Sequence, residues 1–236
     1  MGAKGYAVNA ACVENTGAWV CALAGKFIVF DGPDGSGKST QFRNLIDLAQ
    51  QYGVVVCEVR EPGGTHVGER IREILLDPVH DEMALRCEMM LYMASRSQLV
   101  EERIRPALAR GELVLADRFV SSTFAYQGAA GGLPEREIMH VAHAALGEPG
   151  SAESAWPDLV VVFDVDEKTA ATRLNPLLDR MERKSAEFHK KVRQGFLDQA
   201  TRDPRHHIVI DAAKSECDVS RALLDALHRH IDQQEV

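Results

Sequence analysis

The chain has 236 residues, enough for one α/β domain with a large buried core and short for two separate domains. Its formal net charge is −8, from 35 acidic against 27 basic residues, which argues against a general nucleic-acid or membrane-surface binder. Five cysteines without C-x-x-C spacing suggest neither a zinc site nor a disulfide framework and fit a reducing cytoplasm.

Residues 1–25 are mildly apolar, but Glu14 and Asn15 interrupt them and no basic start precedes an unbroken apolar core. Neither a signal peptide nor a membrane span is expected. They read as an N-terminal extension, open to disorder and dispensable for catalysis, ahead of a domain over 26–236. A strand is expected at 27–31, followed by GPDGSGKST. Gly32, four residues, Gly37, Lys38 and Ser39 fit G-x-x-x-x-G-K-[ST], in which backbone N–H groups wrap a polyphosphate and the lysine reaches its outer phosphates. Gly32, Pro33, Asp34, Gly35, Ser36, Gly37, Lys38, Ser39 and Thr40 are therefore the expected ATP-binding loop. Behind it, Phe42, Leu45, Ile46 and Ala49 recur at helical spacing, and Gly53 supplies a left-handed stop.

Further strands are expected at 54–60, 112–117, 159–164 and 207–211, separated by helix-period sequence. Nearly continuous apolar strands alternating with helices indicate a parallel sheet covered on both faces, hence one doubly wound α/β domain. Asp31, Arg60, Glu61, Asp117, Arg118 and Asp164 fall at strand ends, where open parallel sheets bind ligands. The longest helical region is 81–110, with Pro106 expected to kink it near its end. Its Glu88, Tyr92 and Arg96 share one face. That stripe fits a solvated surface, and it equally fits an aromatic that stacks a ring beside an arginine that reads the ring's edge.

Two more strand-end loops, REPGGT at 60–65 and DRFVSSTFAYQG at 117–128, raise the question of what accepts the phosphoryl group. With EMMLYMASRSQLVEERIRPAL, PDLVVVFDVD and LDRMERKSAEFHKKVRQGFL, they make the chain from about Lys26 onward resemble the thymidylate kinase family. These are P-loop nucleoside monophosphate kinases that convert dTMP to dTDP with ATP. The resemblance implies a P-loop NTPase fold: a five-stranded parallel sheet flanked by helices, with a short lid at about 172–184. It also implies ATP and dTMP as substrates, Mg²⁺ with the ATP, a cytoplasmic homodimer, and neither nucleic acid nor membrane as partner.

Residue by residue, it places Lys38 on the donor phosphates, and Ser39 and Asp117 at the metal. Asp34 falls where a carboxylate contacts the acceptor sugar, and Arg72 and Arg118 fall around the dTMP phosphate. Tyr92 stands where the family stacks a ring on thymine, and Arg96 where an arginine meets the base edge. Ser122 and Gln127 match polar base contacts, and Tyr126 the ring that crowds the sugar 2′ position. No general base is expected, because the dTMP phosphate is already an anionic nucleophile and the transition state is loose.

The loop carries no arginine, since position 35 is glycine. The cation over the transferring group is then expected from the lid, TRLNPLLDRMERK, where Asn175 and Pro176 stand in place of the Gly and Arg of lid-type relatives. Arg173 and Arg180 are the catalytic candidates beside Lys38, Asp34 and Arg118, with Arg180 favoured by its LDR setting. Arg183 and Lys184 read as solvated charges. Two alternatives stay open: a P-loop kinase for another nucleoside or nucleotide acceptor, or a nucleotide-binding protein with a degenerate lid.

Overall fold

The computed structural model describes residues 17–173 and 179–234. Most of the expected extension, 1–16, and the lid residues 174–178 lie outside the described residues. In chain order the elements are α1 (Gly17–Cys21), β1 (Phe27–Asp31), α2 (Lys38–Gln51), β2 (Val56–Arg60), α3 (His66–Leu76), α4 (Leu85–Leu99) and α5 (Arg105–Ala109). They continue with β3 (Leu113–Asp117), α6 (Val120–Thr123), α7 (Glu135–Leu146), β4 (Leu159–Asp164), α8 (Glu167–Ala171), α9 (Ala186–Arg202), β5 (His207–Asp211) and α10 (Glu216–Gln234).

The five strands are parallel, in the order β2-β3-β1-β4-β5. All five expected strands form, with β2 and β3 starting slightly later than the apolar runs that announce them. β1 lies between β3 and β4; the crossover after β1 runs to β2 on one side and the crossover after β3 runs to β4 on the other, so a crevice opens at the carboxyl end of β1.

Alternation along the strands divides the core in two. Phe27, Val29, Val114, Ala116, Val160 and Val162 face the layer that holds α4, α7 and α9. Ile28, Phe30, Leu113, Leu115, Val161 and Phe163 face the layer that holds α1, α2 and α10. The edge strands are covered less completely, which is why Glu58 and Val209 are exposed there.

Two expectations change. Residues 17–25 belong to the folded domain: Trp19, Val20 and Leu23 are buried in the second core layer, and Trp19 stacks on His228 of α10 with ring centroids 5.5 Å apart. The domain boundary expected at Lys26 thus falls inside a packed segment, because AWVCAL supplies apolar side chains to a helix too short to show periodicity. The helical region 81–110 is divided into α4, a wider π turn at Val100–Ile104, and α5. A wider turn ahead of Pro106 lets the chain continue where an α turn would set the ring against the carbonyl of Glu102.

Candidate active site

The phosphate loop leaves β1 at the crevice and runs into the N-terminus of α2, whose first backbone N–H groups have no helical partner and suit an anion. Its glycines are fixed by close approach. A Cβ at Gly32 (φ 132°) would lie 2.5 Å from the carbonyl oxygen of Phe163 on β4. At Gly35 (φ 76°) it would lie 2.5 Å from the carbonyl oxygen of Ala170 on α8. Position 35 therefore cannot carry an arginine in this conformation, and the loop is packed on the element that leads into the lid.

Lys38 is buried, and its Nζ donates to the carbonyls of Gly32 at 3.2 Å and Pro33 at 3.0 Å and to Ser36 Oγ at 3.4 Å. Burial, reinforced by the Arg118 charge, pushes Lys38 down to about 8 against the pull of Asp34, Asp117 and Asp31.

Beside the loop lies a cavity of about 240 Å³ bounded by the ends of β2 and β3, by α4, and by residues 179–182. Arg118 and Asp34 line it on the side of the phosphate loop. The Arg118 backbone sits at φ 67°, a left-handed conformation strained for a non-glycine residue and tolerated here because the side chain is so fully engaged. Its Nη1 donates to Asp31 Oδ1 at 3.2 Å, the Gly32 carbonyl at 3.0 Å and Ser122 Oγ at 3.1 Å, while Nη2 pairs with Asp34. Tyr126 donates its hydroxyl to the other oxygen of Asp34 at 2.9 Å and lies under the Arg118 guanidinium, 5.3 Å from ring centroid to Cζ. Burial alone would raise Asp34, but the charges of Arg118 and Lys38 hold it down at about 2.

Asp31, noted in the sequence only as a strand-end acid, is the hub behind this assembly. It is fully buried and accepts from the Gly32 N–H at 3.0 Å and from the hydroxyls of Ser121 and Ser122, each at 2.7 Å. Ser122 lines the cavity, yet its hydroxyl proton is committed to Asp31.

Only the middle of the shared face of α4 reaches the cavity. Tyr92 lines it, and burial together with the Glu88 charge pushes its phenol above the usual range. Arg72 of α3 lines it as well and donates to the Pro62 carbonyl at 2.8 Å. Gln127 lines the cavity too, its Nε2 donating to Glu88 Oε1 at 2.8 Å.

Arg96 is set behind the wall. Its guanidinium is 1% exposed and donates to Glu61 at 2.5 to 3.0 Å and to Thr123 Oγ1 at 3.1 Å; the cavity is lined by Glu61 and Thr123, not by Arg96. Burial pushes Glu61 up to about 7 against that arginine.

The two lid candidates separate. Arg180 is buried against the acceptor cavity's outer wall, donating from Nε to the Leu75 carbonyl at 2.7 Å and pairing through Nη2 with Glu88 Oε2 at 2.6 Å. Arg173 follows α8 beside Gly35, is exposed, and donates from Nη1 to the Ala212 carbonyl at 2.9 Å. Its backbone N–H bonds the same Ala170 carbonyl that crowds Gly35.

Glu61, Glu88 and Thr123 were not singled out as site residues from sequence. Two of them carried a signal: Glu61 closes a strand-end pair, and Glu88 stands one helical turn before Tyr92.

For a metal ion the available donors are hard oxygens. Asp117 lines the cavity within electrostatic reach of Lys38, and Ser39 is exposed at the start of α2. One hydroxyl and one carboxylate suit Mg²⁺, which keeps waters and substrate phosphates as its other ligands. Among the described residues, no group of three or more His, Cys, Asp or Glu converges into a cage, and no helix is long and apolar enough to cross a membrane.

A phosphate loop at the switch point of a five-stranded parallel sheet, next to a second cavity with arginines and an aromatic wall, defines a P-loop phosphotransferase. A family model described as thymidylate kinase matches residues 30–223. The chain is 43% identical over 213 residues to the thymidylate kinase of Pelotomaculum thermopropionicum, covering 89% of this chain and 96% of that protein. It is 44% identical over 198 residues to the thymidylate kinase of an Exiguobacterium species, covering 83% and 91%. In three dimensions it is similar to the crystal structure of thymidylate kinase from Ehrlichia chaffeensis, with a TM-score of 0.69 and 29% identity over 87% of this chain and 99% of that one. The chain belongs to the thymidylate kinase family.

Proposed function

We propose that this enzyme transfers the γ-phosphoryl group of ATP to dTMP, giving dTDP and ADP, with magnesium, as a cytoplasmic homodimer. One observation carries the reading: Arg118, bonded to Gly32 and Asp34 of the phosphate loop, joins that loop to a cavity that also offers Arg72, Tyr92 and Gln127. A donor polyphosphate in the loop and an acceptor phosphate in the cavity would then meet at Arg118. Exposed Val67 and Ile74 on α3, with Met90 on α4, supply an apolar surface that supports self-association.

In the reaction the bond from the γ-phosphorus to the ADP oxygen breaks and a new bond forms to an oxygen of the dTMP phosphate. That oxygen is already anionic, so alignment and charge neutralisation carry the catalysis. Lys38 exchanges its neutral loop acceptors for donor phosphate oxygens. Arg118 and Arg72 hold the acceptor phosphate, for which a planar guanidinium fork gives paired hydrogen bonds. Tyr92 stacks on the thymine, and Tyr126 and Asp34 border the sugar. Magnesium, held by Ser39, Asp117 and the donor phosphates, would neutralise charge on the phosphate oxygens.

Of the two lid arginines, the packing favours Arg173 for the transferring group, because it adjoins Gly35, whereas Arg180 is committed to Glu88 and the acceptor wall. A coupled assay of ADP release with dTMP, dUMP, dCMP and AMP tests the assignment. Turnover on dTMP well above the others is expected, and preference for any non-thymidine acceptor would replace it.

A further inference from the structure

The orientation of one buried amide carries information about the acceptor base. Gln127 is 2% exposed and lines the cavity, while Glu88, one turn before Tyr92, is 3% exposed and lies behind it. Gln127 Nε2 donates to Glu88 Oε1 at 2.8 Å, and Glu88 Oε2 is held 2.6 Å from Nη2 of Arg180. A carboxylate offers only acceptors. It can therefore hold the carboxamide in one sense, with the NH₂ toward Glu88 and the carbonyl oxygen away from it. Among the described residues no group donates to Gln127 Oε1, so this nearly buried oxygen is left to take a donor from the cavity.

We infer that Glu88 is a positioning residue for base selection. By fixing the amide of Gln127 it presents an acceptor to the base edge, and so selects bases with a ring N–H, thymine and uracil, over cytosine, whose N3 is an acceptor. The inference rests on the dTMP reading above. With cytosine two acceptors would face each other in a site shielded from water. Turning the amide to suit cytosine would aim its carbonyl at the Glu88 carboxylate. A site built on a hydrogen bond rejects the mismatched analogue more strongly than an apolar pocket rejects a missing methyl group.

The test compares kcat/KM for dTMP and dCMP in the full-length enzyme and in Glu88→Gln, whose amide can donate or accept and so frees Gln127 to turn. The dTMP-to-dCMP ratio is expected to fall by about tenfold or more. Arg180→Lys keeps a cation beside Glu88; it is expected to alter turnover of both substrates together and leave the ratio unchanged. If Glu88→Gln alone does not fold, the double variant with Arg180→Met removes both buried charges at once, a replacement that proteins often tolerate. In the unmodified enzyme, 3-methyl-dTMP, which lacks the N3 hydrogen, should bind at least about tenfold more weakly than dTMP. An unchanged ratio in the folded Glu88 variants, an equal fall in Arg180→Lys, or equal binding of 3-methyl-dTMP would overturn the role of Glu88. An unmodified enzyme that turns over another monophosphate in place of dTMP would instead overturn the reading on which it rests.

Discussion

The acceptor cavity and the phosphate loop manage their cations in opposite ways. Around the cavity, three arginines meet carboxylates from other elements, Arg118 with Asp31 and Asp34, Arg96 with Glu61 and Arg180 with Glu88, while Arg72 rests on the Pro62 carbonyl. On the donor side, Lys38 is held by two carbonyls and a hydroxyl of its own segment, and Arg173, after α8, by one carbonyl near the surface. Paired buried charges fix geometry, because removing either member strands the other. Neutral acceptors hold a cation only until an anion offers more. The acceptor side is thus a finished frame, whereas the donor side is completed by the phosphates it binds.

The strongest challenge to this contrast is at the lid. Arg173→Ala should lower kcat by about 10³–10⁵, the range for an arginine that stabilises a transferring phosphoryl group, with little change in KM for dTMP. Arg180→Ala should instead raise KM for dTMP and lower stability, since it leaves Glu88 buried without its cation. Steady-state kinetics on the pair checks both, and a reversed pattern would move the catalytic cation back to Arg180.

A smaller effect tests the frame itself. Glu61→Ala should destabilise the fold by about 3–5 kcal/mol in denaturant titrations by stranding Arg96, while the double change with Arg96→Met recovers most of that loss. Full additivity of the two substitutions would mean that the pair is no unit.

Stacking lies below this. Tyr92→Ala should weaken dTMP binding by about 1–3 kcal/mol, and Tyr92→Phe should be mild because the ring remains. Equal damage from both would assign the contribution to the hydroxyl.

The gentlest effect is a pH limb on the donor side. With Lys38 pushed down to about 8, its charge is lost as pH rises through that value, so kcat/KM for ATP should decline there while kcat, measured with phosphates bound, holds to higher pH. Stability moves the other way at this one site. Between about 8 and 10.5 the folded state carries fewer protons there than the unfolded chain, so the contribution of Lys38 to stability rises with pH. Comparison of pH profiles with Lys38→Met isolates both trends.

The strands and the loop were legible in the sequence because local signals dictate them: β-branched runs bounded by charges, and glycines at set spacing before a lysine. Arg118, Arg72, Tyr92, Tyr126 and Gln127, named from the sequence as candidates, all line the cavity. What escaped was the partnership behind them. Asp31, Glu61 and Glu88 bond side chains 35 to 91 positions away, and no local pattern encodes such pairings. The same holds for α1, where Trp19 is buried by α10 from the far end of the chain. Gly35 was read as a missing arginine; only the packing of α8 reveals that no side chain fits there.

The central claim is that the acceptor site stands ready before the donor arrives. Calorimetric titration of dTMP into nucleotide-free, magnesium-free enzyme tests it most directly. Saturable binding of dTMP, reduced strongly by Arg118→Ala, is predicted; binding that begins only after an ATP analogue and magnesium are added would contradict it.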